Sequence, residues 1–298
     1  MTLQQLRYVI KAAETGNMTQ AAEQLFISQP SLTNSIKSLE KEMNVTIFNR
    51  SNKGLTVSND GALFLSYARQ VLEQAELLES KFLDNKERKP HFSVSCQHYS
   101  FAVEAFVDVI HEFNAYSYDF TLRETQTHEI ITDVSRRISE IGVLYMSSKN
   151  KEVISKMLEQ YDLTFEELFT ARPHVFITSA HPLASRSKIS LKDLEDYPYL
   201  SFEQGEYNSF YFSEEILSTL DRRKNIKVRD RATLFNLLIG LNGYTVSSGV
   251  ISQKLNGENI IARPLEVDEY MQIGTIKLKA QPLSTYGQAY MSAIKNHI

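Results

Sequence analysis

Apolar side chains recur at helical spacing in three short runs at the start of the chain. Leu3, Leu6, Val9, Ile10 and Ala13 mark the first amphipathic helix. Gly16-Asn17 ends it, because glycine takes a positive φ at little cost. Thr19 starts a short second helix whose inner face is Ala21, Ala22 and Leu25, and its adjacent small side chains let another helix approach closely. Ser28 reads as the N-cap of a third helix with Pro30 in its first turn, where a missing N–H costs little. That helix is expected to bury Leu32, Ile36, Leu39 and Met43. Two short strands, Val45–Phe48 and Leu55–Val57, joined by the polar turn Asn49–Gly54, add a wing to the three helices.

Residues 59–88 read as one long helix without Pro or Gly after Gly61. Phe64, Ala68, Val71, Ala75, Leu78 and Phe82 step by 4, 3, 4, 3 and 4 residues, a heptad seam with which one helix faces another. The same spacing also suits a helix packed on its own domain. The charged run Asp84–Lys89 followed by Pro90 marks a domain boundary. Beyond it the pattern alternates. Strands are expected at Phe92–Cys96, Phe120–Glu124 and Ile141–Tyr145, with helices at Phe101–Phe113 and His128–Arg137 between them. Further strands are expected at His174–Thr178, Tyr199–Phe202, Ile226–Val228, Tyr244–Val246 and Met271–Lys277, and helices at Ser213–Leu220, Thr233–Leu241 and Ser284–Asn296. Such alternation implies a mainly parallel sheet with helices on its faces. The domains are then a head (1–58), a linker helix for dimerisation (59–89) and a larger α/β domain (90–298).

A length of 298 residues suits two or three domains, and the 42% hydrophobic and 23% charged content is that of a globular chain. The lone cysteine, Cys96, allows no internal disulfide and fits a reducing cytoplasm. No secretory signal pattern and no apolar stretch of about 18 residues occurs, so a cytoplasmic protein with no membrane partner is expected. The net charge of −4 is uneven: residues 1–89 hold 11 Lys+Arg against 10 Asp+Glu, and the remainder 21 against 26. A nearly neutral head binds DNA when its cations share one face, because phosphate contacts are local.

The outward face of the third helix carries Gln29, Ser31, Thr33, Asn34 and Lys37, donors and acceptors suited to base edges in the major groove, or simply a solvated face. Leu6 with Val9, Met18-Thr19-Gln20-Ala21-Ala22, Leu25, Ser28-Gln29-Pro30-Ser31-Leu32-Thr33, Ile36-x-x-Leu39-Glu40, Ile47-Phe48-x-Arg50 and Leu55-x-Val57-Ser58 before Gly61 keep a specific order and spacing. In this run the chain resembles the DNA-binding domain of LysR-type transcriptional regulators. The resemblance implies a multi-domain protein: an all-α winged helix-turn-helix, a long linker helix and a two-lobed α/β effector domain of periplasmic-binding-protein type. It implies lobe I at about 90–163 and 266–298 and lobe II at about 164–265, with a small-molecule co-inducer between them. It further implies Gln29, Pro30, Ser31, Thr33 and Asn34 at the major groove and Arg50 as the wing contact; Lys37 suits a phosphate, and Thr19 and Lys53 are further DNA-binding candidates. The partners implied are double-stranded DNA with an inverted-repeat operator, a homodimer or homotetramer, and RNA polymerase, whose access changes with assembly geometry. Asn44 stands where the family usually has Gly, and Ser51-Asn52-Lys53 lacks a second wing arginine.

Strand ends and helix starts are the natural place for ligand capture. The candidates there are Gln97, His98, Ser100, Thr125, Phe202, Thr233 and Ser247, with Ser100 as a helix cap and His98 and Arg123 suited to a carboxylate. Gln97-His98-Tyr99-Ser100 also resembles a subgroup of Gram-positive regulators tied to sulfur amino acids, which suggests a small polar metabolite such as an amino acid. No Gly-x-Ser-x-Gly, His-Glu-x-x-His or phosphate-loop run is present, so no catalytic residue, metal or cofactor is expected. A solute-binding protein or an enzyme of α/β fold without a DNA role is the rival reading, and the helix-turn-helix argues against it.

Overall fold

A computed structural model describes residues 1–51, 54–83 and 89–298, without the side chains at 50, 51, 54 and 81–83. The chain divides into two compact units, Met1–Arg88 and Lys89–Ile298. Among the described residues no helix is long and apolar enough to cross a membrane.

The first unit contains α1 (Leu3–Thr15), α2 (Met18–Gln24), α3 (Gln29–Met43), β1 (Phe48–Ser51), β2 (Gly54–Val57) and α4 (Asn59–Leu83). A reciprocal capping box opens α1: the Thr2 hydroxyl accepts from Gln5 N at 3.1 Å and the side-chain Oε1 of Gln5 accepts from Thr2 N at 2.9 Å. Gly16 and Asn44 close α1 and α3 in the left-handed region at φ 61° and 49°. Thus Asn44 performs the turn for which glycine is the cheaper residue. The core is Leu6, Val9, Ala12, Ala21, Ala22, Leu32, Ile36, Leu39, Ile47 and Phe48. Leu3 and Met43 are exposed, contrary to the periodic reading, because each lies at a helix end beyond the packed turn.

The first wing strand begins at Phe48 rather than Val45. Glu40 explains the shift, since its Oε1 accepts from Ile47 N at 2.7 Å and Phe48 N at 3.0 Å and so ties the entry of the wing to α3. The start of α4 is held just as closely. Ser58 Oγ accepts from Gly61 N at 2.8 Å and donates to the Thr46 carbonyl, and a Cβ at Gly61 would lie 2.1 Å from the Ile47 carbonyl oxygen.

Along α4 the heptad seam divides. Ala68 joins Leu65 and Leu72 in the core of the head, whereas Val71 and Leu78 are exposed and Phe64 and Ala75 are half-buried. Phe82 and the Asp84–Arg88 part of the charged run lie outside the described side chains. At 3.6 residues per turn the exposed apolar stripe lies beside the packed one, so the packing on the helix's own domain uses only part of the apolar surface of α4.

In the second unit, β3 (His91–Cys96), α5 (Ser100–Phe113), β4 (Asp119–Glu124), α6 (Thr127–Ser135), β5 (Ile141–Met146), α7 (Lys151–Gln160) and β6 (Leu163–Ala171) build lobe I. Lobe II follows with β7 (His174–Thr178), β8 (Tyr199–Phe202), β9 (Asn225–Val228), α8 (Arg231–Leu241), β10 (Thr245–Ser247), α9 (Gln253–Asn256) and β11 (Ile260–Pro264). The chain then returns through β12 (Met271–Leu278) and α10 (Thr285–Ile294).

The first sheet has the order β4-β3-β5-β12-β6. Only β3 with β4 and β3 with β5 are parallel; the returning strand β12 is antiparallel to both β5 and β6. The mainly parallel sheet expected from alternation is therefore a mixed one. Because β6 belongs to this sheet through Ala171, lobe I runs past residue 163. Lobe II holds the antiparallel sheet β10-β7-β11 and the parallel pair β8-β9, joined by a bridge between Tyr199 and Tyr244.

The helix expected at Ser213–Leu220 does not form. A short 3-10 turn at Phe210–Phe212 leads into turns in which Leu217 adopts φ 64°, and the two glutamates at 214 and 215 are drawn to different buried partners.

Candidate DNA-binding face and effector cleft

In the head, Ser28 caps α3 by accepting from Ser31 N at 3.3 Å, and its hydroxyl lies 2.8 Å from that of Ser31. Gln29, Pro30, Ser31, Asn34 and Lys37 are exposed along this helix, and Thr33 is half-buried. Gln29 Nε2 donates to Thr33 Oγ1 at 3.1 Å, which holds the carboxamide over the first turn while leaving its oxygen free of that contact. The second helix begins at Met18, one residue before Thr19, because Asn17 is the cap: its Oδ1 accepts from Thr19 N at 2.8 Å and Gln20 N at 3.3 Å. Thr19 is exposed at that start. Two helix N-termini with polar, exposed first turns are suited to phosphate and base contacts. On the wing, Arg50 stands opposite Leu55 in the β1–β2 register. The Arg50 side chain and the whole of Lys53 lie outside the described residues.

The effector candidates separate into three groups. The first meets around His98 in the loop after β3. Nδ1 of His98 lies 2.9 Å from Glu214 Oε2 and 3.1 Å from Oε1, and the His98 backbone N–H donates to Glu214 Oε2 at 3.1 Å. The Phe202 ring stacks on His98 at 3.7 Å with 5° between planes. The His98 and Glu214 side chains are only 4% and 5% exposed. Gln204 completes the contact, donating to Glu214 Oε1 at 3.4 Å and accepting from Thr127 N, at the start of α6, at 3.1 Å. A second stack, His128 on Tyr207 at 3.5 Å, joins the lobes farther along. The segment from Phe202 to Glu215 is thus a strap of lobe II fastened onto the loop after β3 and the first turn of α6 in lobe I.

The second group consists of scaffold. Gln97 is fully buried, and its carbonyl oxygen accepts from Tyr145 N at 3.0 Å and Tyr99 OH at 3.2 Å while its amide donates to Thr127 Oγ1 at 2.6 Å. Ser100 does not cap its helix, whose N-cap is Tyr99; its hydroxyl accepts from Ser252 N at 2.9 Å. The third group faces solvent away from the cavities. Thr233 is exposed on α8, which starts at Arg231 with Asp230 as its cap, and Arg123 is exposed on β4. Of the remaining candidates, Thr125 lines an open cavity of about 420 Å³ with His98. Ser247 lines a recess of about 30 Å³ behind it, again with His98 and Phe202.

Residues that the sequence reading did not single out dominate the electrostatics. Burial opposes the charged His98 ring, but the Glu214 carboxylate outweighs it and holds the pKa above the usual value, with Glu124 and Glu215 adding to the effect. Burial, reinforced by Glu214, pushes Glu215 up to about 8. Its Oε1 accepts from Phe202 N at 2.8 Å and its Oε2 has no hydrogen-bond partner. Burial also raises Glu124, against the pull of Arg231, whose guanidinium lies 3.1 Å away. Cys96 is buried, and that burial keeps its thiol protonated.

A model described as "Bacterial regulatory helix-turn-helix protein, lysR family" matches residues 3–62, and one described as "LysR substrate binding domain" matches residues 95–298. A probable RuBisCO transcriptional regulator from Phaeodactylum tricornutum is 25% identical over 229 residues, 76% of this chain and 72% of its own. An uncharacterized HTH-type transcriptional regulator, YvbU of Bacillus subtilis, is 28% identical over 214 residues, 70% of this chain and 69% of its own. Among solved structures, an OxyR C206 mutant from Corynebacterium glutamicum shares the fold with a TM-score of 0.51 at 19% identity, over 99% of this chain and 93% of that one.

Proposed function

Because the chain belongs to the LysR family of transcription regulators, with a DNA-binding head and an effector-binding domain, we propose that it reads an inverted-repeat operator as a homodimer or homotetramer in the cytoplasm. The family consists of regulators, not enzymes. Thr19, Gln29, Pro30, Ser31, Thr33 and Asn34 read the major groove, and Lys37, Arg50 and Lys53 neutralise phosphates or reach the minor groove. The exposed polar first turn of α3 carries this reading. The unpartnered stripe of α4, with Leu63 62%, Tyr67 61% and Leu78 62% exposed, supports pairing through that helix.

A co-inducer occupies the cleft beside His98, Thr125 and Phe202, and differential affinity for two strap arrangements transmits its presence to RNA polymerase. Footprinting and mobility-shift titration on the neighbouring intergenic DNA test the proposal. Gln29→Ala relaxes sequence choice, costing about 1–3 kcal/mol at the base it reads, and Arg50→Ala weakens all DNA binding. Unchanged operator affinity in both variants refutes it.

A further inference from the structure

The turn between α2 and α3 places a bulky side chain where the backbone calls for none. Leu25 is the C-cap of α2, and Phe26 follows it at φ 54°. Two hydrogen bonds lock this conformation: Ile27 N donates to the Ala22 carbonyl at 3.0 Å, and Phe26 N donates to the Glu23 carbonyl at 3.1 Å. The pair forms a Schellman motif, whose left-handed position favours glycine first and asparagine next. The other left-handed helix ends described in the head, Gly16 and Asn44, hold those two residues. A phenylalanine in that conformation is strained.

No packing offsets the strain. Phe26 is 95% exposed, more than any other large apolar side chain described in the first unit. Its neighbour Ile27 is the residue that packs against the core of the head. Neither the turn nor the core therefore accounts for the ring.

The position of Phe26 indicates what does. Phe26 lies two residues before Ser28, the cap of α3, and three before Gln29, so its Cα is within about 11 Å of the first residue proposed to read bases. The major groove is about 12 Å wide, and a helix entering it by its N-terminus has the sugar–phosphate wall within that reach. A neutral ring suits the apolar face of a deoxyribose better than a phosphate oxygen.

We infer that Phe26 is a DNA contact: its ring lies on a deoxyribose at the wall of the groove that α3 enters, and the locked left-handed turn aims it there. The inference rests on α3 being the DNA-reading helix.

The test uses the full chain with its neighbouring intergenic DNA, in mobility-shift titrations at several salt concentrations, and a thermal melt of each variant. Phe26→Gly weakens operator binding about tenfold, the equivalent of returning roughly 60 Å² of ring to water. Because the ring is uncharged, the slope of log affinity against log salt stays that of the wild type, whereas Lys37→Ala makes it shallower by about one unit. Phe26→Gly melts at or above the wild-type temperature, since glycine relieves the backbone and no packing is lost. Phe26→Tyr keeps the ring and binds within about twofold of the wild type. Wild-type affinity in Phe26→Gly beside weakened binding in Gln29→Ala overturns the ring contact and leaves α3 as the reading helix. Wild-type affinity in both variants overturns the two readings together. A lowered melting temperature in Phe26→Gly shows that the ring packs within the protein, and a changed mass by light scattering shows that it packs between copies; either result overturns the DNA contact.

Discussion

Glu215→Gln isolates the cost of keeping a carboxyl inside lobe II. The side chain is 3% exposed, and its pKa is pushed from an ordinary 4.5 to about 8 by burial and by Glu214. A folded-state pKa above the unfolded value means that the native state binds the extra proton. Stability is therefore fully present below about pH 4.5 and is lost as pH rises through about 8. At about 1.4 kcal/mol per pH unit, the loss between pH 6 and pH 8 is roughly 2 kcal/mol.

Glutamine is the neutral isostere. It keeps the acceptor for Phe202 N, 2.8 Å away in the wild type, and cannot ionise. Urea denaturation at pH 6 and pH 8, followed by far-UV circular dichroism because the chain has no tryptophan, measures the difference. The wild type weakens across that interval, and Glu215→Gln weakens by about 2 kcal/mol less. His98 contributes a slope of the same sign, since its folded pKa is also raised, so the variant keeps a residual fall. Equal pH dependence in the two proteins refutes the buried, protonated carboxyl.

Two further outcomes follow from packing. Glu214→Ala leaves the buried His98 ring and amide without their acceptor and destabilises the second unit by about 3–5 kcal/mol, with Glu214→Gln costing less; a denaturation midpoint equal to the wild type contradicts the cross-lobe pair. Gly61→Ala drives a methyl group to within 2.1 Å of a backbone carbonyl at Ile47 and lowers both the stability of the head and its operator affinity, while Ala62→Gly on the exposed face costs only about 1 kcal/mol. Normal DNA binding by Gly61→Ala shows that the wing does not need its close contact with α4.

The head was legible because its signals are local. The Ser28 cap, the left-handed Asn44 and the small pair Ala21-Ala22 each act within a few residues of themselves. Glu40 was visible only as part of a motif, since its work, holding two wing amides, depends on a turn that brings residues seven and eight positions away back to it. The cleft was legible only in fragments. His98 and Phe202 were both candidates, but a stack between residues so far apart in the chain is a product of tertiary structure. Glu214 escaped because Ser213–Leu220 has a helical pattern that its buried contacts override. Gln97 and Ser100 have the polarity of ligand-binding residues and spend it on Tyr145, Thr127 and Ser252. The edge strand β6 carries polar residues on both sides, which hid its membership of the first sheet.

The weld between the wing and α4 has a consequence for regulation. Gly61 against Ile47, Ser58 across the junction, and Leu65, Ala68 and Leu72 in the head's own core make α3, the wing and the first half of α4 a single packed part. If two copies pair along the exposed stripe of α4, as proposed, that part would act as a fixed caliper, the span between the two α3 helices being set before any effector arrives. Regulation would then operate on how many calipers are joined and at what angle, while the gap within each stays constant.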